Sequence, residues 1–309
     1  MIGRMQPTRR DDPSPPPAPS RRAAVLYGLA AAALYGVAMP AVKPMLAAGG
    51  ASLTAGMLYL GMGGALLATF LVRGAPAPRL SRGDAGWLCV SVVLGGIVAP
   101  TLLLWGLART PATVTALLSN AEVVFTTLIA HFLLHERYGR RLAAGLALVV
   151  TGTAVIGGAG ARGADLLPSL AILAACLAWA VDNNATRRIA HADASFVGLA
   201  KGLVAGTFNT LVATAAGATS VAPRALLWTV LVGAVSYGVS FALYMRALRG
   251  LGAARTAAYF ATAPFAGAVV AVLALGEPIT TRLVLAALAM AGGVWLHVTE
   301  PHAPRAGTG

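Results

Sequence analysis

The sequence predicts an all-α membrane protein, with ten transmembrane helices arranged as two inverted five-helix repeats. Three observations carry this. Hydrophobic residues make up 58% of the 309 positions and charged residues only 11%, a balance too apolar for a soluble domain. The stretch from Thr110 to Ile156 recurs 141 residues later, from Leu251 to Leu296, so that Thr115 falls on Thr256, Glu136 on Glu277, Arg141 on Arg282 and Gly152 on Gly293. Both copies carry an apolar run of about twenty residues that ends at a Glu, then a turn containing Arg, then a second apolar run. A run of that length crosses about 30 Å of hydrocarbon as a helix. The third observation is the placement of Lys and Arg, which fixes the sidedness below.

In chain order, residues 1 to 23 hold five Arg and the Pro-rich piece DDPSPPPAPS, a composition that buries no core and reads as a disordered cytoplasmic tail. The apolar segment that follows is longer than a typical signal-peptide core and more spans come after it, so a retained helix is expected. Spans are expected at 24–46, 52–72, 84–107, 111–134, 141–158, 166–187, 194–216, 223–245, 254–275 and 281–298. The first repeat is then 24–160, the second 161–299, and 300–309 a cytoplasmic tail.

With the N-terminus inside, seventeen Arg fall on the cytoplasmic side, and only Arg109, Arg162, Arg224 and Arg282 on the other. Cytoplasmic loops carry the Lys/Arg excess, so both termini are expected inside. Five spans per half turn the second copy upside down, and loop charge follows. The turn after the first copied helix, from His135 to Arg141, is basic, whereas its counterpart from Glu277 to Arg282 holds one Arg. Inverted-topology repeats recur in secondary transporters, with the substrate site near the midplane.

The balance of 23 Lys+Arg against 10 Asp+Glu gives +13, but the Arg residues lie between apolar runs without interleaved aromatics, which argues against nucleic-acid binding. Cys89 and Cys176 sit in separate apolar runs and suggest neither a disulfide framework nor a metal knot. No Walker-type glycine loop is present. His131 and His135 have i, i+4 spacing but no third ligand in reach, so no metal and no cofactor is expected.

At this point the residues resemble a known family. LLSNAEVVFTTLIAHFLLHE resembles the helix-four signature of EamA-type carriers in the drug/metabolite transporter superfamily, Leu-Leu-x-x-x-Glu-Pro-Val-x-x-x-Leu with Gly-Glu at the helix end. AARTAAYFATAPFAGAVVAVLALGEP resembles the same signature in the second half. The resemblance covers about 24 to 299 and implies two five-helix inverted repeats around a central cavity lined by spans 1 to 4 and 6 to 9. The first copy keeps the acid as Glu122 with Val123 where Pro is usual; the second keeps Pro264 and Gly276 but has Ala263 in place of the acid.

Glu122 is the leading candidate for the substrate or proton site, because a charge near the middle of a span is costly and is seldom kept for packing alone. Thr115, Ser119 and Glu122 are spaced to share one helix face, and Asn120 adds a further polar group; the competing role is a carboxyl that locks spans together. Asp182 and Lys201 lie at comparable depth on consecutive antiparallel spans, beside Asn183 and Asn184, and form either a structural ion pair or a cytoplasmic gate. Lys43 aligns with Arg187 and either snorkels or touches substrate. Tyr35, Trp105, Tyr237 and Tyr259 are candidate cavity residues. Pro40, Pro44, Pro100 and Pro264 interrupt spans expected to line the cavity. Glu136 and Glu277 read chiefly as structural carboxylates able to meet a helix N-terminus or an Arg.

These features describe a secondary transporter of a small organic metabolite or drug-like solute in the bacterial inner membrane, exporting it in exchange for protons. The alternative is a membrane-embedded enzyme or carrier acting on lipid-linked substrates, and a non-transporting assembly or sensor protein is a third class. The expected partners are the small-molecule substrate, the lipid bilayer and protons; a homodimer is compatible with the sequence.

Overall fold

The computed structural model describes residues 19–74, 80–134, 139–157, 166–189, 193–218 and 221–299. Most of both tails and the turn holding His135, Glu136 and Arg137 lie outside the described residues. Among the described residues all regular structure is helical, with no strand. Eight helices among the described residues are long and apolar enough to cross a membrane. They are α1 (Arg21–Arg73), α2 (Arg82–Leu107), α3 (Ala112–Phe132), α4 (Arg140–Gly157), α5 (Leu167–Arg188), α6 (Ala194–Ala215), α7 (Pro223–Leu251) and α8 (Arg255–Leu275). A further apolar helix, α9 (Thr281–Val298), closes the chain.

The count differs from the expected ten at two places. Helix α1 has 53 residues, about 80 Å if it ran straight at 1.5 Å per residue, more than twice the hydrocarbon thickness. It is interrupted at Gly50, whose backbone is non-helical at φ 66, ψ 177. The positions expected to form two spans with a loop between them are two helical segments joined at this one glycine. Helix α9 is the other case: it runs over Thr281–Val298, 18 residues, the length of α4, and its apolar part is described over Thr281–Leu296.

Interior irregularities recur at the repeat offset. Helix α2 contains a π-helical stretch, Ser91–Val98, and α7 contains one at Gly233–Val239; the 141-residue offset that carries Thr115 onto Thr256 carries Val98 onto Val239. Helix α3 breaks at Ser119 and Asn120, between segments Ala112–Leu118 and Ala121–Leu134. Its counterpart α8 breaks at Ala261 and Thr262, between Ala253–Phe260 and Ala263–Leu275. Pro264, near the start of the second segment, lacks the N–H that would continue the ladder; in α3 the break forms with Val123 at that position.

Glycines set the closest helix approaches. Gly36 of α1 lies against the backbone of Ala263 and Gly267 in α8, where a Cβ has no room. Further along α1, Gly63 and Gly56 meet Gly202 and Gly206 of α6, the small-residue crossing typical of helices in lipid. Helices α4 and α9 pack through Gly152 against Met290 and through Gly293 against Gly145, again equivalent positions. The main apolar core gathers Leu103, Leu117, Leu118, Ile172, Cys176 and Met290. Large apolar side chains cover the outer faces, among them Leu71, Phe132, Leu211, Leu273, Leu288 and Trp295, as a hydrocarbon solvent permits.

Candidate functional site

The two helix breaks face one cavity of about 160 Å³. Its walls come from α1, α3, α5 and α8, and four pairs of lining residues are repeat equivalents: Ser119 with Phe260, Asn120 with Ala261, Glu122 with Ala263, and Val123 with Pro264. Tyr35 and Trp179, which align between the two halves, supply a fifth pair. The cavity therefore straddles the relation between the repeats, but its chemistry does not share that symmetry, because only the first half contributes an acid.

Glu122 stands in the first turn of the segment that follows the α3 break. The amide N–H groups at a helix start favour a carboxylate there. Asn183 of α5 donates its side-chain amide to Glu122 Oε1 at 2.7 Å, and the same nitrogen lies 3.5 Å from Thr126 Oγ1. The break also sets the neighbouring polar groups. Ser119 Oγ donates to the Thr115 carbonyl at 2.9 Å. Asn120 Nδ2 donates to the Leu117 carbonyl at 3.0 Å and lies 3.8 Å from Met290 Sδ. Thr115 is fully buried away from the cavity, its hydroxyl 2.8 Å from that of Thr110.

A second polar centre joins α2, α5 and α6. Lys201 Nζ donates to both oxygens of Asp182, at 2.7 and 2.6 Å. Ser91 Oγ and Thr186 Oγ1 donate to Asp182 Oδ1. Both Ser91 and Lys201 start π-helical stretches. Gly95, inside the first stretch, lies directly against the Asp182 carboxylate. Its carbonyl accepts from Tyr59 Oη at 2.7 Å and from Trp179 Nε1 at 3.0 Å, so the irregular backbone is satisfied by two aromatic side chains. Asn184 turns aside, its amide donating to the Ala180 carbonyl at 2.9 Å.

The remaining candidates separate. Tyr35 lines the cavity, and its ring lies 5.3 Å from Tyr237 and 5.2 Å from Phe260. Tyr237 stands behind it, packed edge-on to Tyr59. Trp105 lies outside the cavity lining under the Arg109 guanidinium, 4.0 Å from the ring centroid. Tyr259 packs against Gly28. Lys43 is ion-paired with Glu277 at 2.8 Å and does not border the cavity. Trp179, Phe260 and Ser91 were not among the sequence candidates. The repeat offset points to Phe260 through Ser119, while Ser91 carries only the weak signal of a hydroxyl in the apolar run SVVLGG.

An α-helical membrane protein with broken helices facing an interior cavity has the architecture of a transporter. The EamA-like transporter family matches this chain twice, over residues 22–158 and 166–299, and the chain belongs to that family, within the drug/metabolite superfamily. A protein of Methanothermobacter thermautotrophicus described as an uncharacterized transporter is 26% identical over 72% of this chain and 67% of its own length. An uncharacterized Pseudomonas aeruginosa protein is 32% identical over 62% of this chain and 65% of its own. A shorter match, 36% identical over 24% of this chain and 68% of the relative, is to a probable 4-amino-4-deoxy-L-arabinose-phosphoundecaprenol flippase subunit of Enterobacter. A crystal structure aligns over 90% of this chain and 98% of its own with a TM-score of 0.66 at 24% identity, a likeness of fold.

Proposed function

We propose that this transporter is a ten-span secondary carrier, built as inverted repeats at 24–160 and 161–299, which exports a small organic solute across the bacterial inner membrane in exchange for protons. Both termini are cytoplasmic in this reading. The observation that carries it is the cavity bounded by equivalent positions of the two halves, with Glu122 as the single acidic lining residue among the described residues. Two halves that rock about a shared site alternate its access, and a lone carboxylate at that site is a group through which a proton and a solute can be exchanged. The break at Gly50 supports dividing α1 into two spans, and the pairing of α9 with α4 supports counting α9 as the last.

Reconstitution into liposomes tests this. Solutes that accumulate in cells lacking the protein are loaded, and efflux is followed with and without an imposed pH gradient. Gradient-dependent efflux is expected from the wild-type protein, and efflux no faster than from empty liposomes rejects the carrier reading. The likeness to the Enterobacter flippase subunit favours one second reading, movement of a lipid-linked headgroup, which scrambling of a labelled polyprenyl phosphate would reveal in the same vesicles.

A further inference from the structure

The cavity has a donor and acceptor balance that restricts what it can hold. Its polar lining residues have turned their hydrogens into the protein: Ser119 donates to the Thr115 carbonyl, Asn120 to the Leu117 carbonyl and towards Met290 Sδ, and Trp179 to the Gly95 carbonyl. What Ser119 and Asn120 retain for an occupant is lone pairs. The Glu122 carboxylate is an acceptor as well, and Tyr35 brings a hydroxyl that accepts as readily as it donates. Among the described residues no Lys, Arg or His borders the space. The nearby cation, Lys201, is held by both oxygens of Asp182.

From this we propose that the cavity takes a small organic cation with an aromatic or otherwise apolar body, an amine rather than an anion or a zwitterion. The proposal rests on the carrier reading of the same cavity and names its substrate class. An ammonium group supplies the donors that the acceptor-lined site lacks and neutralises Glu122. Tyr35, Trp179 and Phe260 line the space, and aromatic rings attract organic cations. With its N–H committed to the Gly95 carbonyl, Trp179 has no donor left for an occupant. An anion would instead meet a carboxylate with no compensating base, and a zwitterion would leave its own carboxylate unpaired. The volume, about 160 Å³, resembles the roughly 150 Å³ in which benzene sits in an apolar protein cavity, so one ring with a short amine arm fits.

Calorimetric titration of the purified full chain in detergent, at one slightly alkaline pH, tests this with five probes that each carry one phenyl ring. These are phenethylammonium, benzyltrimethylammonium, 2-phenylethanol, 3-phenylpropionate and phenylalanine. Phenethylammonium is expected to bind at least about tenfold more tightly than the three probes that are not cations, and benzyltrimethylammonium, which has the charge but no N–H donor, to fall between. Glu122→Gln is expected to remove that preference while still binding 2-phenylethanol, which shows that the variant keeps its cavity. Trp179→Phe, which retains a ring, is expected to keep more cation affinity than Trp179→Leu. Anion or zwitterion binding equal to that of phenethylammonium, an undiminished cation preference in Glu122→Gln, or no binding of any probe overturns the proposal. Because no flux is measured, loss of charge selectivity leaves the carrier reading standing, and charge-selective binding without flux in liposomes overturns the carrier reading alone.

Discussion

Lys43 and Glu277, 234 residues apart in sequence, meet at 2.8 Å. Glu277 also accepts from the backbone N–H groups of Ala112 at 2.6 Å and Thr113 at 2.8 Å, while Lys43 donates to the Thr110 carbonyl at 2.9 Å. One carboxylate thus ties α1 and the start of α3 to the loop between α8 and α9. Charge-assisted bonds to a helix N-terminus are among the stronger ones. In the proposed topology all these groups lie on the outer face of the bundle.

The first prediction follows from the titration of that carboxyl. Burial alone would raise its pKa, but the Lys43 ammonium and the Thr113 and Ala112 amides outweigh this and hold it below the usual carboxylate range. A lowered folded-state pKa gives stability that is complete above the unfolded value and lost as pH falls through the folded one. Thermal unfolding of Glu277→Gln is expected to depend less on pH than wild type on the acidic side, with a loss at neutral pH of about 1.5–3 kcal/mol for bonds to a charged group. Parallel pH profiles for the two proteins would show that this carboxylate does not contribute.

Asp182 and Lys201 give the second. Breaking a buried pair by removing one member costs about 3–5 kcal/mol, whereas replacing both by neutral groups is often tolerated. Asp182→Asn and Lys201→Met are each expected to lower thermal stability and flux more than the double variant does. Four measurements complete the cycle. A double variant that merely sums the two single losses means that the contact carries no coupling energy.

How much of this was readable beforehand depended on whether the signal was periodic or spatial. The offset relating Thr115 to Thr256 and the charge asymmetry are properties of the string, and so is the helix-four signature around Glu122, which led to the family that the chain belongs to. The break at Ser119 and Asn120 was not legible, because neither residue is a strong helix breaker and its counterpart is marked only by Pro264. The joining of the first two expected spans at Gly50 escaped for a related reason, since the stretch AAGGAS reads as a loop until the backbone is seen to turn at a single residue. Partners far apart in sequence were the hardest to read. Asp182 and Lys201 could be paired because only 19 positions separate them, whereas Lys43 and Glu277 sit in different repeats and no local pattern connects them. The bond from Asn183 to Glu122 was hidden too, because Asn183 read as part of the Asp182 cluster next to it.

The third prediction concerns sidedness. Seventeen Arg on one side against four on the other place both termini in the cytoplasm under the ten-span reading. A phosphatase fused after Gly309, active only outside the cytoplasm, is expected to be silent, and a fluorescent fusion that matures only inside to be bright. The opposite result would put the C-terminus outside, and the proposal of two inverted repeats with cytoplasmic termini would fall.

The last prediction concerns Glu122. An acidic residue at the centre of a span costs about 2.5–3.5 kcal/mol on insertion scales, and this one is retained in one repeat while its equivalent is Ala263. A carboxylate kept only to lock helices together would serve through the Asn183 bond, and the Gln side-chain oxygen can still accept that bond. Glu122→Gln therefore separates the two roles, since it preserves size and hydrogen bonding and removes only the titrating proton. The variant is expected to express and unfold like wild type, to lose at least about tenfold in gradient-driven efflux, a change of about 1.4 kcal/mol in a barrier, and to keep whatever solute exchange the wild type shows in the absence of a gradient. Purified wild-type and variant proteins in the same liposomes, assayed with and without an imposed pH gradient, provide the comparison. Gradient-dependent efflux unchanged by the substitution would place the proton on another group and leave Glu122 as a packing residue.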